Sequence, residues 1–258
     1  MLSSNFIKEK ISKGLPIIGI WSIINSPLTV DIAGHAGLDF QILDMEHGIA
    51  DFSALDNCIR ACESVGCSPL VRVPELRRAV IQSCLDLGAH GIIVPQVKGY
   101  DDALEVVQAT KFAPIGSRGF NPFTRAGGYN PSLPFSSTKL NNHFSLTSII
   151  IETKGAITEL DRILTIPELD MFYLGVYDLS FAFGLEGQVN HPDILDLVAT
   201  AIKKIKNAGK LISLMVKNEI EMQKYIELGV QLIVYGVDTD IYYSAIGNKI
   251  AQFRQHIG

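Results

Sequence analysis

The sequence has no segment that would span a membrane, direct export or attract nucleic acid. No run of apolar residues reaches the roughly 18 that a membrane-spanning helix needs. Residues 1–14 are polar and contain no apolar core, so we expect no secretory signal peptide. Lysine and arginine are concentrated nowhere, and the formal net charge of the 258 residues is −5. Neither nucleic acid nor a membrane is therefore expected as a partner.

Cysteine is also scarce, and no CxxC motif is paired with a second set of ligands as a zinc site requires. The four cysteines, Cys58, Cys62, Cys67 and Cys84, all lie in one short stretch. We predict that they are buried free thiols, which is the state that a reducing cytoplasm maintains. The sequence thus favours a cytoplasmic protein.

What the sequence does contain is an alternation of short apolar runs with longer segments of helical periodicity. The runs are apolar almost throughout and lack the apolar–polar alternation of a half-exposed sheet. This pattern predicts strands that are buried on both faces of a parallel sheet. The eight predicted strands cover residues 16–24, 39–45, 68–73, 91–97, 146–152, 171–175, 210–216 and 232–237.

Helices are predicted between these strands, over residues 53–65, 75–87, 101–110, 191–208 and 218–228. Ser53, Asp101, Asp102 and Pro192 are residues typical of helix starts. Several of these helices end at a glycine shortly before the next strand, as a tight connection from helix to strand requires.

Eight such units in 258 residues give roughly 32 residues each, which is typical of a (β/α)₈ barrel, an α/β fold. An open doubly wound sheet is the alternative, but it would ordinarily carry a GxGxxG turn after the first strand, and this sequence has none. We predict one barrel domain over residues 1–258. Within it, residues 113–144 are rich in proline, glycine, serine and asparagine and are expected to form an irregular functional loop.

Barrel enzymes act through side chains at the carboxyl ends of their strands. Glu152 and Asp178 each follow an apolar run, and carboxylate oxygens are preferred ligands of Mg²⁺, so both are candidate metal ligands. Two structural roles compete with this hypothesis. Asp178 would cap the helix that starts at Leu179, or Glu152 would pair with Lys154 or an arginine.

A second group of polar residues follows the second and third predicted strands. His47 lies three residues after Asp44, and a carboxylate can hold an imidazole in one tautomer for proton transfer near neutral pH. Arg72 ends the third strand, where a guanidinium would bind a carboxylate or a developing enolate oxygen. The alternatives are a structural histidine and an ion pair between Arg72 and an acid at a strand end.

Several short motifs occur along the chain in a fixed order. They are LDMEHG at 43–48, VRVP at 71–74, LDLGAHGIIVPQV at 85–97, RGF at 118–120, LGVYDLS at 174–180 and YGVDT at 235–239. As a set they resemble the HpcH/HpaI aldolase family, the metal-dependent class II pyruvate aldolases, over about residues 14–247. The resemblance implies a TIM barrel of the phosphoenolpyruvate/pyruvate-binding type. It also implies a homo-oligomer, commonly a hexamer built as a trimer of dimers that exchange the last helix.

The resemblance further implies roles for the residues singled out above. Glu152 and Asp178 match the family's ligands for a divalent metal ion, Mg²⁺ or Mn²⁺, with Co²⁺ as a further option. His47 and Asp44 match its acid–base pair, and Arg72 matches its pyruvate-contacting arginine.

Three more residues receive a role in this way. Gly175 and Tyr177 lie where backbone groups of the family hold the pyruvate carboxylate. Asp86 matches an acid that is offered to the site of a neighbouring subunit. The implied reaction is the reversible cleavage of a 4-hydroxy-2-oxo acid to pyruvate and an aldehyde.

This chain departs from the family pattern at two places. Ile150 stands where glutamine is common, and Val176-Tyr177 stands where a proline usually follows the glycine. Both departures make the wall of the site more apolar or bulkier while leaving the metal ligands in place.

Three other functions stay open at this point. A class I aldolase would form a Schiff base on Lys98, Lys154 or Lys217, which lie near strand ends. A citrate-lyase-like enzyme would act on an acyl-CoA. A non-catalytic barrel of the same family would have lost its chemistry through the two departures.

Overall fold

The computed structural model describes residues 5–48, 51–134 and 137–257. Eight parallel strands form a closed barrel in chain order, in which β8 pairs with β1. The strands are β1 (Ile17–Ser22), β2 (Phe40–Asp44), β3 (Ser68–Arg72), β4 (Gly91–Val94), β5 (Leu146–Ile151), β6 (Met171–Leu174), β7 (Leu211–Val216) and β8 (Leu232–Val237). The predicted barrel and its eight strands are confirmed, and the open sheet is excluded by the closure.

Helices lie between the strands and at both ends of the described chain. They are α1 (Phe6–Ser12), α2 (Pro27–His35), α3 (Phe52–Ser64), α4 (Arg78–Asp86), α5 (Tyr100–Thr110), α6 (Ser137–Phe144), α7 (Lys154–Thr158), α8 (Leu160–Ile163), α9 (Val176–Ala182), α10 (Pro192–Asn207), α11 (Glu219–Leu228) and α12 (Asp238–Ile257). The five predicted helices correspond to α3, α4, α5, α10 and α11.

Two of the predicted helix starts were wrong. The cap of α3 is Asp51 and not Ser53, because the Asp51 carboxylate accepts a backbone N–H of the first turn at 2.8 Å. The cap of α5 is Gly99, while Asp102 lies inside the first turn and accepts the backbone N–H of Lys98 at 2.9 Å. Asp102 was thus identified as a residue of the helix start but placed at the wrong position, whereas Asp51 was not identified.

The sequence reasoning missed α2 and α12 because their apolar side chains do not face the core of this chain. In α2, Leu28 and Ile32 are 66% and 59% exposed, and the inward residues are Val30 and the small Gly34. In α12 no residue is buried. A helix without an inward apolar stripe gives no clear helical periodicity.

Side chains fill the barrel interior, and α1 closes its amino end. Ile7 of α1 is 1% exposed and belongs to the interior cluster, together with residues such as Phe40 and Leu232. The Asn5 amide donates to the carbonyls that precede β4 and β5, at 2.9 and 2.8 Å. Because the amino end is sealed, a ligand can enter from the carboxyl ends of the strands.

The stretch 113–144 is not irregular throughout, since its last eight residues form α6. Phe144 at the end of α6 is buried, and its ring lies 5.0 Å from the His90 ring. This apolar contact fixes the end of the stretch against the barrel just before β5.

The cysteine prediction is confirmed, because all four thiols are free and buried. Among the described helices, none combines the length and the apolar character that crossing a membrane requires.

Candidate active site

A cavity of about 290 Å³ opens at the carboxyl ends of the strands. Seven of the predicted site residues line it, namely Asp44, His47, Arg72, Glu152, Gly175, Tyr177 and Asp178. The remaining lining residues are Trp21, Ile23, Ile150, Tyr173, Leu174, Val176, Val189, Asn190, Met215, Lys217, Glu221, Tyr225 and Val237. The residues chosen from the sequence therefore converge on one place, with the exception of Asp86.

Glu152 follows β5 and is held by the turn that follows β4. Its Oε1 accepts the backbone N–H of Gln96 at 2.6 Å, and Gln96 adopts the left-handed backbone region with φ 55°. The next residue, Thr153, donates its hydroxyl to the carbonyl of Val97 at 2.7 Å. The left-handed conformation of Gln96 is uncommon for a residue other than glycine and costs conformational energy. The two turns thus fix each other and the carboxylate between them.

Burial changes the acidity of this carboxylate. Glu152 is 4% exposed, and burial raises its pKa to about 7 from the ordinary value of 4.5. The N–H of Gln96 opposes the rise, and the negative charge of Asp178 adds to it. An ionised Glu152 therefore calls for a positive charge beside it.

Asp178 lies in the first turn of α9, and Gly175 lets this turn approach Glu152. A Cβ added at Gly175 would come within 2.9 Å of the Glu152 Cβ and 3.1 Å of its Oε2. Asp178 does not cap α9, since the residue at the cap is Gly175 and no side chain bonds the first turn there. The competing structural role of Asp178 is therefore wrong.

Glu152 and Asp178 have a donor set that fits a divalent cation. Neither carboxylate forms an ion pair with another described residue, so the pairing of Glu152 with Lys154 or an arginine is also wrong. Within the described residues, no three or more histidine, cysteine, aspartate or glutamate side chains form a ready metal site. Two carboxylates nevertheless suit Mg²⁺, which takes one or two from the protein and adds water and substrate.

Arg72 is clamped between two acids at the ends of β2 and β3. Its Nε and Nη2 donate to the two oxygens of Asp44 at 2.8 and 2.5 Å, and its Nη1 pairs with Glu46 at 2.8 Å. The guanidinium also lies 4.4 Å over the Trp21 ring. The alternative of an ion pair is therefore observed. Three of the five guanidinium N–H groups are engaged, which leaves two for a ligand.

The expected contact between Asp44 and the His47 ring is absent from the described structure. The fully buried Asp44 carboxylate instead accepts the backbone N–H groups of Glu46 at 2.9 Å and His47 at 3.4 Å, besides binding Arg72. Asp44 therefore positions His47 through the backbone, not through the imidazole. The His47 ring lines the cavity, where it can meet a ligand.

Glu46 and Tyr173, which lie beside Arg72 and Trp21, were not predicted as site residues from the sequence. Burial raises the pKa of Glu46, which belongs to the same LDMEHG motif and pairs with Arg72. The Tyr173 hydroxyl accepts the Trp21 indole N–H at 2.8 Å, and the two rings pack edge to face at 5.2 Å. Glu46 could have been found from its motif, whereas Tyr173 is indistinguishable in sequence from the other apolar residues of β6.

Asp86 lies away from the cavity, at the end of α4. Its carboxylate pairs with Arg118 at 2.6 Å, and Arg118 in turn stacks on Phe112 at 4.5 Å. Asp86 also lines a separate surface depression of about 460 Å³. It contributes nothing to the site of its own chain.

The three strand-end lysines differ in their relation to the cavity. Lys217 lines it, with its ammonium 4.8 Å from the centre of the Tyr177 ring. Lys98 and Lys154 do not line it, and the Lys154 ammonium lies over Phe183 instead.

A model of the HpcH/HpaI aldolase/citrate lyase family matches residues 17–245. The chain belongs to this family. It is similar to a hydroxypyruvate/pyruvate aldolase of Agrobacterium fabrum, with 31% identity over 97% of this chain and 94% of that protein. It is also similar to a 2-keto-3-deoxy-L-rhamnonate aldolase of Klebsiella pneumoniae, with 30% identity over 98% and 94% of the two chains.

Solved structures share the fold over nearly all of this chain. A family protein from Burkholderia cenocepacia superimposes with a TM-score of 0.91 and 26% identity, covering 97% of this chain and all of that one. The citrate synthase SbnG gives a TM-score of 0.89 and 26% identity over 99% of both chains. The predicted family is confirmed, as is the prediction that the protein is a carbon–carbon lyase of the aldolase type.

Proposed function

We propose that this member of the HpcH/HpaI family reversibly cleaves a 4-hydroxy-2-oxo acid to pyruvate and an aldehyde, with the help of a divalent metal ion. The observation that carries the proposal is the buried acid Glu152 beside Asp178, neither of which forms an ion pair with a described residue. An arginine with two unused N–H groups lines the same cavity.

Glu152 and Asp178 would hold the metal ion, Mg²⁺ or Mn²⁺. When bound, the ion would supply positive charge that lowers the energy of an enolate. Proton binding to Glu152 competes with a cation, because burial raises the pKa of this carboxyl to about 7. A cation at this place would also offset the repulsion between the buried Glu152 and the neighbouring, exposed Asp178.

The chain's own side chains would divide the remaining work. His47 accepts the proton of the 4-hydroxyl group, and the aldehyde carbonyl forms as the bond between C3 and C4 breaks. The electron pair of that bond stays on the pyruvate fragment as an enolate. Arg72, fixed by Asp44 and Glu46, stabilises the negative charge, and protonation at C3 then gives pyruvate.

The backbone at the start of α9 would receive the pyruvate carboxylate. Gly175 and Tyr177 line the cavity beside Asp178, and the first backbone N–H groups of a helix have no partner within the helix. These groups would orient the 2-oxo acid relative to Arg72.

We further propose a homo-oligomer in which α12 packs on a neighbouring copy, as in a trimer of dimers. No residue of α12 is buried, and it exposes the apolar side chains Ile241, Tyr242, Tyr243, Ile246, Ile250, Phe253 and Ile257. An apolar patch of this kind is typical of an interaction surface. Asp86 would act in a neighbour's site, which accords with its position outside the cavity of its own chain.

We also propose that residues 1–258 form one domain that works in the cytoplasm. The strands of the single closed barrel extend from Ile17 to Val237. The four free thiols support a reducing compartment.

The proposed reaction is tested with a panel of aldehydes, each incubated with pyruvate and Mg²⁺ or Mn²⁺, with and without EDTA. We expect carbon–carbon bond formation with at least one aldehyde and its loss on chelation. Absence of product with every aldehyde, or full activity in EDTA, would contradict the proposal.

A Schiff-base aldolase is the second candidate, because Lys217 lines the cavity. A lysine nucleophile is activated by desolvation or by a nearby cation. Lys217 is exposed and rests on an aromatic ring, which does not provide that environment. Inactivation by borohydride in the presence of pyruvate, with label on Lys217, would establish this alternative.

A further inference from the structure

The ammonium group of Lys217 lies against an aromatic ring in the lining of the cavity. Lys217 directly follows β7, and Tyr177 lies in the first turn of α9, one residue before Asp178. The ammonium lies 4.8 Å from the centre of the Tyr177 ring. Tyr177 is 42% exposed and Lys217 is exposed, whereas Glu152 is 4% exposed. The Lys217–Tyr177 pair therefore lies closer to solvent than Glu152 does.

The two cations that line the cavity differ in their partners. Arg72 is engaged by Asp44 and Glu46 through three of its N–H groups. The Lys217 ammonium forms no ion pair with a carboxylate of the described residues. Glu221 lines the cavity too, but its Oε2 accepts the backbone N–H of Lys217 at 2.8 Å. Lys217 is thus the lining cation whose charge is left for a ligand.

We infer that Lys217, supported by the Tyr177 ring, binds a negatively charged group on the aldehyde portion of the substrate. The inference rests on the proposed function, which places the 2-oxo acid portion at Glu152, Asp178 and Arg72. A carboxylate and a phosphate share the required chemistry, because an ammonium binds either one as a point charge. The aldehyde partner is therefore an anionic aldehyde.

The test compares charged and neutral aldehydes of similar size in the aldol direction, with pyruvate and Mg²⁺. One pair is 4-oxobutanoate against butanal, and the other is glyceraldehyde 3-phosphate against glyceraldehyde. For the wild-type enzyme we expect higher kcat/KM with the charged member of at least one pair, and the pair that shows it tells carboxylate from phosphate. Lys217→Met should reduce this preference about tenfold, since a hydrogen bond between charged groups is of this order.

The chain offers a matched control for this variant. Lys154 also follows a strand, is exposed and lies over an aromatic ring, Phe183 at 5.6 Å, but it does not line the cavity. Lys154→Met should therefore keep the wild-type preference. Raising the ionic strength should weaken the wild-type preference and leave that of Lys217→Met unchanged.

Several results would overturn the inference. One is an unchanged preference for the charged aldehyde in Lys217→Met. Another is an equal loss of kcat/KM with charged and neutral aldehydes in this variant. Borohydride trapping of pyruvate on Lys217 would assign this lysine a covalent role instead. The proposed function is checked separately through exchange of the methyl protons of pyruvate by the wild-type enzyme. If exchange occurs and the preference does not change in Lys217→Met, the inference about Lys217 alone is wrong.

Discussion

The floor of the cavity (Asp44, Arg72 and Glu152) and its mouth (Tyr177 and Lys217) are built in different ways. The floor side chains are buried and held by ion pairs and backbone N–H groups from neighbouring strand ends. The mouth side chains are exposed and hold each other by one contact between an ammonium and a ring. A fixed floor suits a reaction step common to many substrates. A lightly held mouth suits the choice of one aldehyde.

The largest expected effect comes from removing the buried acid of the floor. Glu152→Ala should lower kcat by about 10³-fold with every aldehyde, because it removes a ligand of the metal ion that would stabilise the enolate. Steady-state kinetics with charged and neutral aldehydes would measure it, with thermal unfolding as the control for folding. If a folded Glu152→Ala protein kept wild-type turnover, Glu152 would not take part in the reaction.

Next in size is the loss of the acid that clamps the arginine. Asp44→Ala leaves the partly buried Arg72 with only Glu46 as a partner, and it removes the acceptor for two backbone N–H groups. We expect a loss of about 3 kcal/mol in the free energy of unfolding. Urea denaturation would measure this loss. The control is Asp56→Ala, which removes an exposed helix pair with Arg60 and should cost less than about 1 kcal/mol.

The stability of the metal-free protein should depend on pH through Glu152. Its pKa is about 7 in the folded chain, against an ordinary value of 4.5. Between these values the folded state binds more protons than the unfolded state, so stability falls as pH rises from about 4.5 to about 7. We expect the free energy of unfolding to fall by about 3 kcal/mol over this pH range, as measured by chemical denaturation in the presence of EDTA.

Two further measurements sharpen this result. Glu152→Gln should lack this contribution to the pH dependence. Mg²⁺ should restore stability at the upper end of the range, because it favours the ionised carboxylate. A wild-type profile identical to that of Glu152→Gln would mean that the carboxyl is not buried in the way described.

The smallest expected effect concerns the ring at the mouth. Tyr177→Leu removes the surface under the Lys217 ammonium, and a contact of this kind contributes about 0.5–1 kcal/mol at an exposed place. The preference for a charged aldehyde should therefore fall by about two- to fivefold. Tyr177→Phe keeps the ring and should keep the preference. If Tyr177→Leu lowered kcat/KM equally for all aldehydes, the ring would contribute to the common reaction step and not to the choice of aldehyde.

The sequence predicts the floor better than the mouth for a physical reason. Buried strands leave continuous apolar runs, so the polar residues at their ends, such as Asp44 and Glu152, stand out. The partner choices within the floor could not be predicted, since Asp44 binds Arg72 and not the His47 ring. The sequence singled out Lys217 only as one of three candidate Schiff-base lysines near strand ends, because its contact with Tyr177 joins two elements far apart in the sequence.

The same distinction explains the errors in the fold. The eight strands and five of the helices that pack on the barrel were predicted, whereas the short helices α1, α6, α7, α8 and α9 were not. The helices α2 and α12, whose apolar side chains are directed away from the barrel, were not predicted either. Their periodicity reflects surfaces outside this chain's core, and one sequence does not show what covers such surfaces.

Exchange of the methyl protons of pyruvate with deuterium oxide tests the central claim most directly, since it reports enolate formation without any aldehyde. We predict exchange by the wild-type protein with Mg²⁺ or Mn²⁺, its loss in EDTA and its loss in Glu152→Ala, with no lysine trapped by borohydride. Exchange that persists in EDTA and disappears when borohydride modifies Lys217 would contradict this prediction.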